Sequence, residues 1–496
     1  ARLGSGTASS SNFLRGDGSW AGAGVTSDAQ YNTAAGTNAG DSFSGTSAVN
    51  NTLFGYDAGT AITSGDDNTC VGYKSAPVMD TGEKNIVVGS NSALALTGGS
   101  RNVVLGYEAL KLSTGAYSGI YIGFQAGRDM TNGTGNVVIG NQAGVATTSA
   151  GGSVFIGDAA GQNVYTGDNN ICIGKSTWGG NSMENNILMG YRAGGFMGGP
   201  GVEHNIFMGY EAAYGNSGGY GRANNIGMGY RALYDLTTGD HNICMGNGAG
   251  DEITTGASNI GIGQLSLGGW DQSTAGTGSD NVAIGQKTMG KWTTGTQNTC
   301  IGFQAGEDLT TGSYNVFIGA SASRTTGNAS TCSYSISIGE GSKVRNGGGN
   351  IAIGQNADCG VGTSNTIVLG NTSITSFSVP GVSLSATSSG VSDAKGNLRS
   401  IPANTQASTY TLVASDAGKV VLASGTVTTN QGVFAAGDVV TIINNTGSNL
   451  SNAGNLNYYK SADGSGSTSW TLAARGMATI WFSSGAFAYI SGAGLS

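Results

Sequence analysis

The sequence predicts an all-β protein in which a parallel β-solenoid or β-roll shaft of about 20 coils precedes a small C-terminal β-sandwich-like domain. Three observations predict this fold. A short motif that ends in glycine recurs with a 17-residue period. The chain of 496 residues holds 90 glycines but only 4 prolines, a composition that suits short strands and tight turns. After Gly370 the period stops, and strand-like runs with other spacings begin.

The repeated motif reads Asn-[Ile/Val/Thr]-x-[Ile/Val/Met]-Gly, as in Asn68–Gly72, Asn136–Gly140 and Asn242–Gly246. From Gly55 to Gly174 every step is 17 residues, a phase that chance does not hold over seven steps. Each unit therefore predicts one coil, and coils that stack at the strand spacing of about 4.8 Å give a shaft about 95 Å long. The closing glycines fall at 36, 55, 72, 89, 106, 123, 140, 157, 174, 190, 209, 229, 246, 263, 285, 302, 319, 339, 354 and 370.

Side-chain direction within each strand follows from period-two alternation. The residues three and one before the glycine are nearly always apolar, as in Ile171 and Ile173, and we expect both to point into the core. The residue between them varies from Cys70 to Tyr121 to Gly227, so we expect it to face outward. Because that residue is often apolar, we expect another chain to cover part of the outer face.

The remaining recurrent positions have structural interpretations. The opening Asn predicts a ladder of stacked side-chain amides that hydrogen-bond to one another, interrupted at Gly119, Ser153 and Ser335. The third residue after each glycine is small, as at Ala58, and suits a bend with no room for bulk. Four of the six cysteines share one repeat position several coils apart, so we expect small reduced interior side chains.

The domain boundaries follow from where this pattern begins and ends. Residues 1–31 precede the first coil and predict an N-terminal adapter; the chain lacks an initiator Met, and we expect Ala1 to be an internal or processed start. Residues 32–370 form the shaft, 371–404 a Ser/Gly/Thr-rich neck or linker, and 405–496 the C-terminal β domain.

Composition and motifs exclude several classes of function. The net charge of −8 argues against nucleic acid, and no apolar run or basic cluster predicts membrane insertion. The acidic residues are scattered, and the only histidines are His204 and His241, so no catalytic residues are assigned. No motif predicts a bound metal or cofactor. The sequence therefore predicts a protein that is not an enzyme.

Aromatic residues that fall outside the regular repeat are the candidate receptor contacts, because aromatic rings suit sugar rings and protein anchors. In the C-terminal domain these are Tyr458, Tyr459, Trp470 and Phe487; in coils with inserted residues they are Tyr214, Tyr220 and Trp270. The alternative at each C-terminal position is packing in a core, and at each shaft position harmless surface variation.

Three parts of the chain carry a resemblance to known families. The units Asn170–Gly174 and 302–315 resemble the head repeats of trimeric autotransporter adhesins, and more closely the related repeats of bacteriophage tail fibres. The opening 3–20, with its Asn-Phe-Leu-Arg-Gly-Asp-Gly-Ser-Trp ending, is similar to a linker in tail fibres of marine phages, including cyanophages, and the end from Gly396 to Gly494 resembles the C-terminal module of those fibres. The similar segments span nearly the whole chain.

This resemblance implies a homotrimeric, extracellular virion fibre that joins other virion proteins through its N-terminal side and attaches to a glycan or protein of the host surface. It implies no catalytic residues. A bacterial surface adhesin or extracellular filament subunit, located on the cell surface, is the alternative function. A glycan-cleaving tailspike is the third hypothesis, and it would require two facing carboxylates in a groove.

Overall fold

The computed structural model describes residues 12–14, 20–22, 25–43, 47–177, 180–195, 201–215, 222–268, 275–324, 331–379, 384–387, 390–393, 396–397, 403–460 and 466–496. The chain divides into two compact units, Ala1–Asn371 and Thr372–Ser496. Near the start, β1 (Asn12–Leu14) and β2 (Trp20–Gly22) form an antiparallel pair. The next strand, β3 (Val25–Ser27), pairs antiparallel with the first strand of the shaft.

The shaft is one parallel ladder of three-residue strands, one from each coil, and this confirms the predicted β-solenoid. Neighbouring strands pair in register, as Val137 with Val154. An additional short pair, β13 with β15, lies outside this ladder. The shaft strands are β4 (Thr33–Ala35), β5 (Thr52–Phe54), β6 (Thr69–Val71), β7 (Ile86–Val88), β8 (Val103–Leu105), β9 (Ile120–Ile122), β10 (Val137–Ile139), β11 (Val154–Ile156), β12 (Ile171–Ile173), β13 (Met183–Glu184), β14 (Ile187–Met189), β15 (Val202–Glu203), β16 (Ile206–Met208), β17 (Ile226–Met228), β18 (Ile243–Met245), β19 (Ile260–Ile262), β20 (Val282–Ile284), β21 (Thr299–Ile301), β22 (Val316–Ile318), β23 (Ile336–Ile338), β24 (Ile351–Ile353) and β25 (Ile367–Leu369).

The direction of the strand side chains was predicted wrongly. The middle residue points inward, and Val104, Cys172 and Phe317 are fully buried. The two flanking residues point outward, so that Ile86 is 45% and Val88 36% exposed. Period-two alternation separates the middle residue from its neighbours but does not decide which set lies inside. The uniform apolar pair therefore covers the outside of the sheet, and the variable residue fills the core.

The core of each coil tolerates a variable middle residue because three further inward positions share the space. The small residue three after the glycine is buried, as predicted, at Ala58, Ala126 and Ala305. The fourth residue after the glycine is also buried, as at Leu110 and Leu233. The seventh residue is a further inward position. It is buried at Ile62, Met79, Leu96, Met130, Leu236, Ile253, Trp292 and Leu309.

The predicted asparagine ladder is confirmed in detail. In one coil, Asn68 Nδ2 donates to Asn51 Oδ1 at 3.1 Å and to the Gly82 carbonyl at 2.8 Å. The Asn68 backbone N–H also donates to Asn51 Oδ1, at 3.0 Å. Where the ladder is uninterrupted, each buried amide therefore uses both donors and accepts twice, which removes the cost of burying an unpaired polar group. At the Ser153 interruption, Ser153 Oγ accepts from the Asn170 backbone N–H at 3.1 Å.

The closing glycine is required by both conformation and space. Gly140 has φ +141°, and a Cβ built there would overlap the carbonyl group of Gly157 in the next coil. Other closing glycines of the shaft repeat this arrangement. An L-residue would therefore suffer backbone strain and a collision together.

All six cysteines are buried and have free thiols. Burial raises the pKa of Cys70, Cys172 and Cys244 to about 12, since the thiolate would have to leave water. These residues act as small apolar side chains of the core.

The second unit begins with a small antiparallel sheet in the segment predicted as a neck. It contains β26 (Ser376–Val379), β27 (Leu384–Thr387), β28 (Gly390–Asp393) and β29 (Gly396–Asn397), paired in chain order. Pro380 and Pro402, which mark the predicted linker, lie outside the described residues.

The C-terminal β domain is built from two short parallel ladders that share one long strand. One ladder is β30-β32-β34 and the other is β31-β33-β35, and β38 pairs with the last strand of each. A further edge is formed by β39, β36 and β37. The elements are β30 (Ala403–Gln406), β31 (Tyr410–Thr411), a 3-10 turn (Ala414–Asp416), β32 (Val420–Ala423), β33 (Val427–Thr429), β34 (Val439–Asn444), β35 (Leu450–Gly454), β36 (Asn457–Lys460), β37 (Gly466–Ser467), β38 (Thr471–Phe482) and β39 (Phe487–Leu495).

Both ladders contribute to one apolar core. Val421 and Ile442 of the first ladder and Val427 and Leu450 of the second belong to the same buried cluster, and Phe482 of β38 completes it. The two ladders belong to one ten-stranded sheet, and the predicted separate C-terminal β domain is confirmed.

Candidate binding surfaces

The outward face of the shaft ladder is a continuous apolar surface. Each coil adds two outward residues, and four threonines at 33, 52, 69 and 299 are the only polar ones among them in the ladder strands. No charged residue occurs at these positions. Solvent reaches Ile284, Ile301, Ile318 and Ile353 to between 36% and 40%. The surface is therefore defined by the first and third residues of every shaft strand, and we call it the ladder face.

The ladder face is large as well as apolar. Twenty strands at about 4.8 Å give a length on the order of 90 Å, and three residues at about 3.3 Å give a width of about 10 Å. The resulting area of about 900 Å² exceeds the few hundred Å² that monomeric proteins usually expose as one apolar patch. It equals roughly the 800 Å² that each partner buries in a standard protein–protein interface.

Exposed aromatic residues border the ladder face, because they directly follow the closing glycine in several coils. Tyr191, Tyr210 and Tyr230 stack in sequence with ring centroids 5.1 and 5.2 Å apart. Tyr56 stacks on Tyr73 at 5.4 Å. Such ladders between adjacent coils stabilise the stack of coils by themselves, so they need no partner to account for them.

Of the three shaft candidates, the structure describes Tyr214. It is half-buried, its ring stacks on Tyr234 at 5.7 Å, and the Arg192 guanidinium lies 5.5 Å from its centroid. These contacts join neighbouring coils, so packing between coils accounts for the Tyr214 ring. Tyr220 and Trp270 lie outside the described residues.

Two of the four C-terminal candidates are core residues, which corrects the expectation that they contact a receptor. Tyr458 is fully buried and Trp470 is 2% exposed, and their rings meet edge to face at 6.3 Å. Both belong to the buried apolar cluster of the domain, so neither ring offers a surface to a partner. The core-packing alternative applies to both.

The other two C-terminal candidates belong to an exposed aromatic row. The Tyr459 ring stacks on Phe487 at 5.9 Å and lies 5.6 Å from Tyr489, which in turn stacks on Trp481 at 5.5 Å. Phe487, Tyr489 and Trp481 are 40%, 47% and 46% exposed. We call these four residues the aromatic row.

The aromatic row follows the hydrogen-bonded register of three strands. Tyr459 of β36 is opposite Tyr489 of β39, and Tyr489 is opposite Trp481 of β38. Cross-strand neighbours are held at ring-contact distance by the sheet itself, so the row is preorganised. Rigid aromatic side chains with phenol and indole donors are the residue types that dominate binding surfaces.

Sequence reasoning missed Trp481 and Tyr489, although a signal was present. In β38, Ala478, Ile480 and Phe482 point inward, which places Trp481 outside. Trp481 and Phe482 are adjacent, so one of them must point inward and the other outward. Which one points inward is decided only by the register of the strand.

Among the residues that the structure describes, no three His, Cys, Asp or Glu side chains are grouped so as to hold a metal ion. Within this part of the chain, no helix has the length and apolar character needed to cross a bilayer.

The fold and its surfaces define a class: a parallel β-solenoid with a long apolar ladder face, combined with a separate C-terminal β domain that carries an exposed aromatic row. No protein-family model matches the chain, and searches of curated proteins and of solved structures give no match either.

Proposed function

We propose that this chain is a structural fibre protein of the bacteriophage tail-fibre type, which assembles as a homotrimer along its shaft and attaches to the host surface through its C-terminal domain. The observation that carries the proposal is the ladder face. An uncharged apolar surface of about 900 Å² on a repetitive shaft is accounted for when copies of the chain cover one another.

Side-by-side association of identical copies suits this surface. A parallel, in-register arrangement lets every coil contact the same coil of its neighbour, so each outward pair is buried once. Two copies can pair through their ladder faces, and three copies can close around a common axis. The resemblance to trimeric adhesin heads and trimeric phage fibres favours three copies.

Attachment is proposed for the aromatic row, since the shaft aromatics stack between coils and the buried pair Tyr458 and Trp470 belongs to the core. The test is binding of the labelled full-length chain to a panel of marine bacteria, including cyanobacteria. We expect a Trp481→Ser, Tyr489→Ser variant to lose binding while still unfolding in one cooperative transition. A Tyr56→Ser, Tyr73→Ser variant, which removes an equally exposed pair from the shaft, is the control.

The two variants decide the assignment. If the shaft variant loses binding and the C-terminal variant does not, attachment lies on the shaft. Antibodies against the chain then separate the virion from the bacterial alternative: decoration of fibres on purified phage particles supports the proposal, whereas labelling of uninfected bacterial cells supports a surface adhesin.

A further inference from the structure

One groove on the shaft lies away from the ladder residues. It has a volume of about 310 Å³, at the lower end of the range for ligand sites. Its wall includes Lys287, Lys291, Glu307 and Arg324, together with Leu265 and Gln304. The two glycines that open it are Gly268 and Gly290.

The groove forms where two consecutive coils have no side chain at one repeat position. The fifth residue after the closing glycine is Tyr214, Tyr234, Glu307 or Arg324 in nearby coils. In two consecutive coils this position is glycine, at Gly268 and Gly290, so the wall of side chains is interrupted. At Gly268 a Cβ would collide with the buried Asp251 carboxylate and the Gly248 carbonyl, so the first glycine is fixed by packing.

The charges of the groove are arranged with cations outermost. Lys291 Nζ lies 2.7 Å from Asp308 Oδ1, and the side chains are 48% and 4% exposed, respectively. Arg324 Nε lies 2.5 Å from Glu307 Oε2, with exposures of 36% and 14%. In both pairs the carboxylate is covered and the cation keeps further N–H donors toward solvent.

From this arrangement we infer that the groove binds a carboxylate-bearing saccharide, an acidic glycan unit of the surface to which the fibre attaches. Lys287, Lys291 and Arg324 supply N–H donors for the carboxylate and hydroxyl oxygens, and Glu307 and Gln304 supply acceptors for hydroxyl groups. Leu265 is the one large apolar side chain among the lining residues that the structure describes. An amphipathic helix or an extended peptide would require an apolar groove or a free strand edge.

Asp251, which lies behind Gly268, repels an anionic ligand only weakly. Burial raises the pKa of Asp251 to about 7, so a large fraction of this carboxyl is uncharged near neutral pH. The groove therefore presents three cations, two of which cover the Asp308 and Glu307 carboxylates, in a chain whose net charge is −8.

The inference that the saccharide belongs to a host surface rests on the proposed function. Binding of the saccharide to the groove is measured directly on the full-length chain. The probe is an oligosaccharide of galacturonic acid, compared by calorimetry with its neutral galactose counterpart and with acetate. We expect the acidic oligosaccharide to bind at least about tenfold more tightly than either and to weaken as salt is raised.

Two matched glycine variants locate the site. At Gly290 the backbone φ is ordinary and an added Cβ meets only normal contacts, at 3.4 and 3.5 Å, so Gly290→Leu fills the groove without strain. Gly98 is equally permissive and lies on a distant coil, which makes Gly98→Leu the control. Lys291 is left intact, because its removal would strand the buried Asp308 carboxylate.

The expected result is at least about a tenfold loss of affinity in Gly290→Leu and in Lys287→Glu, with Gly98→Leu unchanged. Equal binding by Gly290→Leu and the parent chain would overturn the inference, as would equal binding of the neutral oligosaccharide or of acetate. A chain that binds the acidic probe but no bacterial cell would leave the groove assigned and contradict the proposed attachment role.

Discussion

Gly119 and Tyr121 are complementary, because the glycine leaves open the space that the tyrosine ring fills. A Cβ at residue 119 would lie 2.5 Å from the ring of Tyr121 and 2.8 Å from its hydroxyl oxygen. The coil whose inward strand residue is the large Tyr121 therefore has glycine, and not asparagine, at its ladder position. The Tyr121 hydroxyl contacts Met130 Sδ at 3.3 Å instead, and burial raises its pKa to about 12.

This pair predicts strong coupling between two substitutions. Gly119→Asn alone should destabilise the shaft by about 2–4 kcal/mol through overpacking, and Tyr121→Val alone by about 3 kcal/mol through an interior cavity. The double variant should cost clearly less than the sum, since it restores the usual coil with its ladder amide. Denaturant unfolding of all four proteins measures the coupling, and strict additivity would contradict the account.

The asparagine ladder predicts a graded response at Asn225. Its Oδ1 accepts from the backbone N–H and the Nδ2 of Asn242, at 2.9 and 3.2 Å. Asn225→Ala should cost about 2–4 kcal/mol, because these donors stay buried without an acceptor. Asn225→Ser should cost less, since Ser153 and Ser335 occupy this position naturally and accept from the next backbone N–H. Equal unfolding midpoints for the two variants would show that the ladder does not act through hydrogen bonds.

The closing glycine predicts a contrast between two alanine substitutions. Gly140→Ala meets both φ +141° and the Gly157 carbonyl, and should cost about 3 kcal/mol or more. Gly135→Ala meets φ +71° but open space, with the nearest atom 4.0 Å away, and should cost about 1 kcal/mol. Thermal melting compares the two; similar losses would mean that close contact between coils is unimportant.

Asp251 predicts a pH-dependent stability. Its pKa is raised by burial from 3.8 to about 7, so between these values the folded state holds a proton that the unfolded state has lost. Stability should fall as pH rises from about 4 to 7 and level off above 7. Asp251→Asn should flatten this profile and stabilise the chain at pH 8. Melting curves from pH 4 to pH 8 measure it, and an unchanged slope in the variant would contradict the raised pKa of this buried carboxyl.

The repeat made the solenoid predictable, because a fixed 17-residue period in Asn and Gly leaves few architectures. The asparagine amides and the small residue at Ala58 followed from the same regularity. The inward face did not, since both Ile171 and Cys172 are apolar enough for a core and only the assembled coil shows which is buried.

The C-terminal surface was predictable only in part, for a related reason. Aromatic residues serve both cores and surfaces, so Tyr458 and Tyr459 could not be told apart before the register of β36 was known. The groove at Gly290 depends on what neighbouring coils place beside it. These contacts between coils exist only in the folded chain, so the sequence alone does not show them.

The most direct test of the proposed assembly is the native mass of the purified chain in solution. Light scattering after size exclusion should give three times the chain mass of 49.3 kDa at micromolar concentration. Ile284→Glu with Ile301→Glu, which puts charge on the ladder face, should lower the melting temperature of the trimer, whereas Val361→Glu, at a 75% exposed turn residue, should not. A stable monomer of 49.3 kDa in the parent chain would contradict the account.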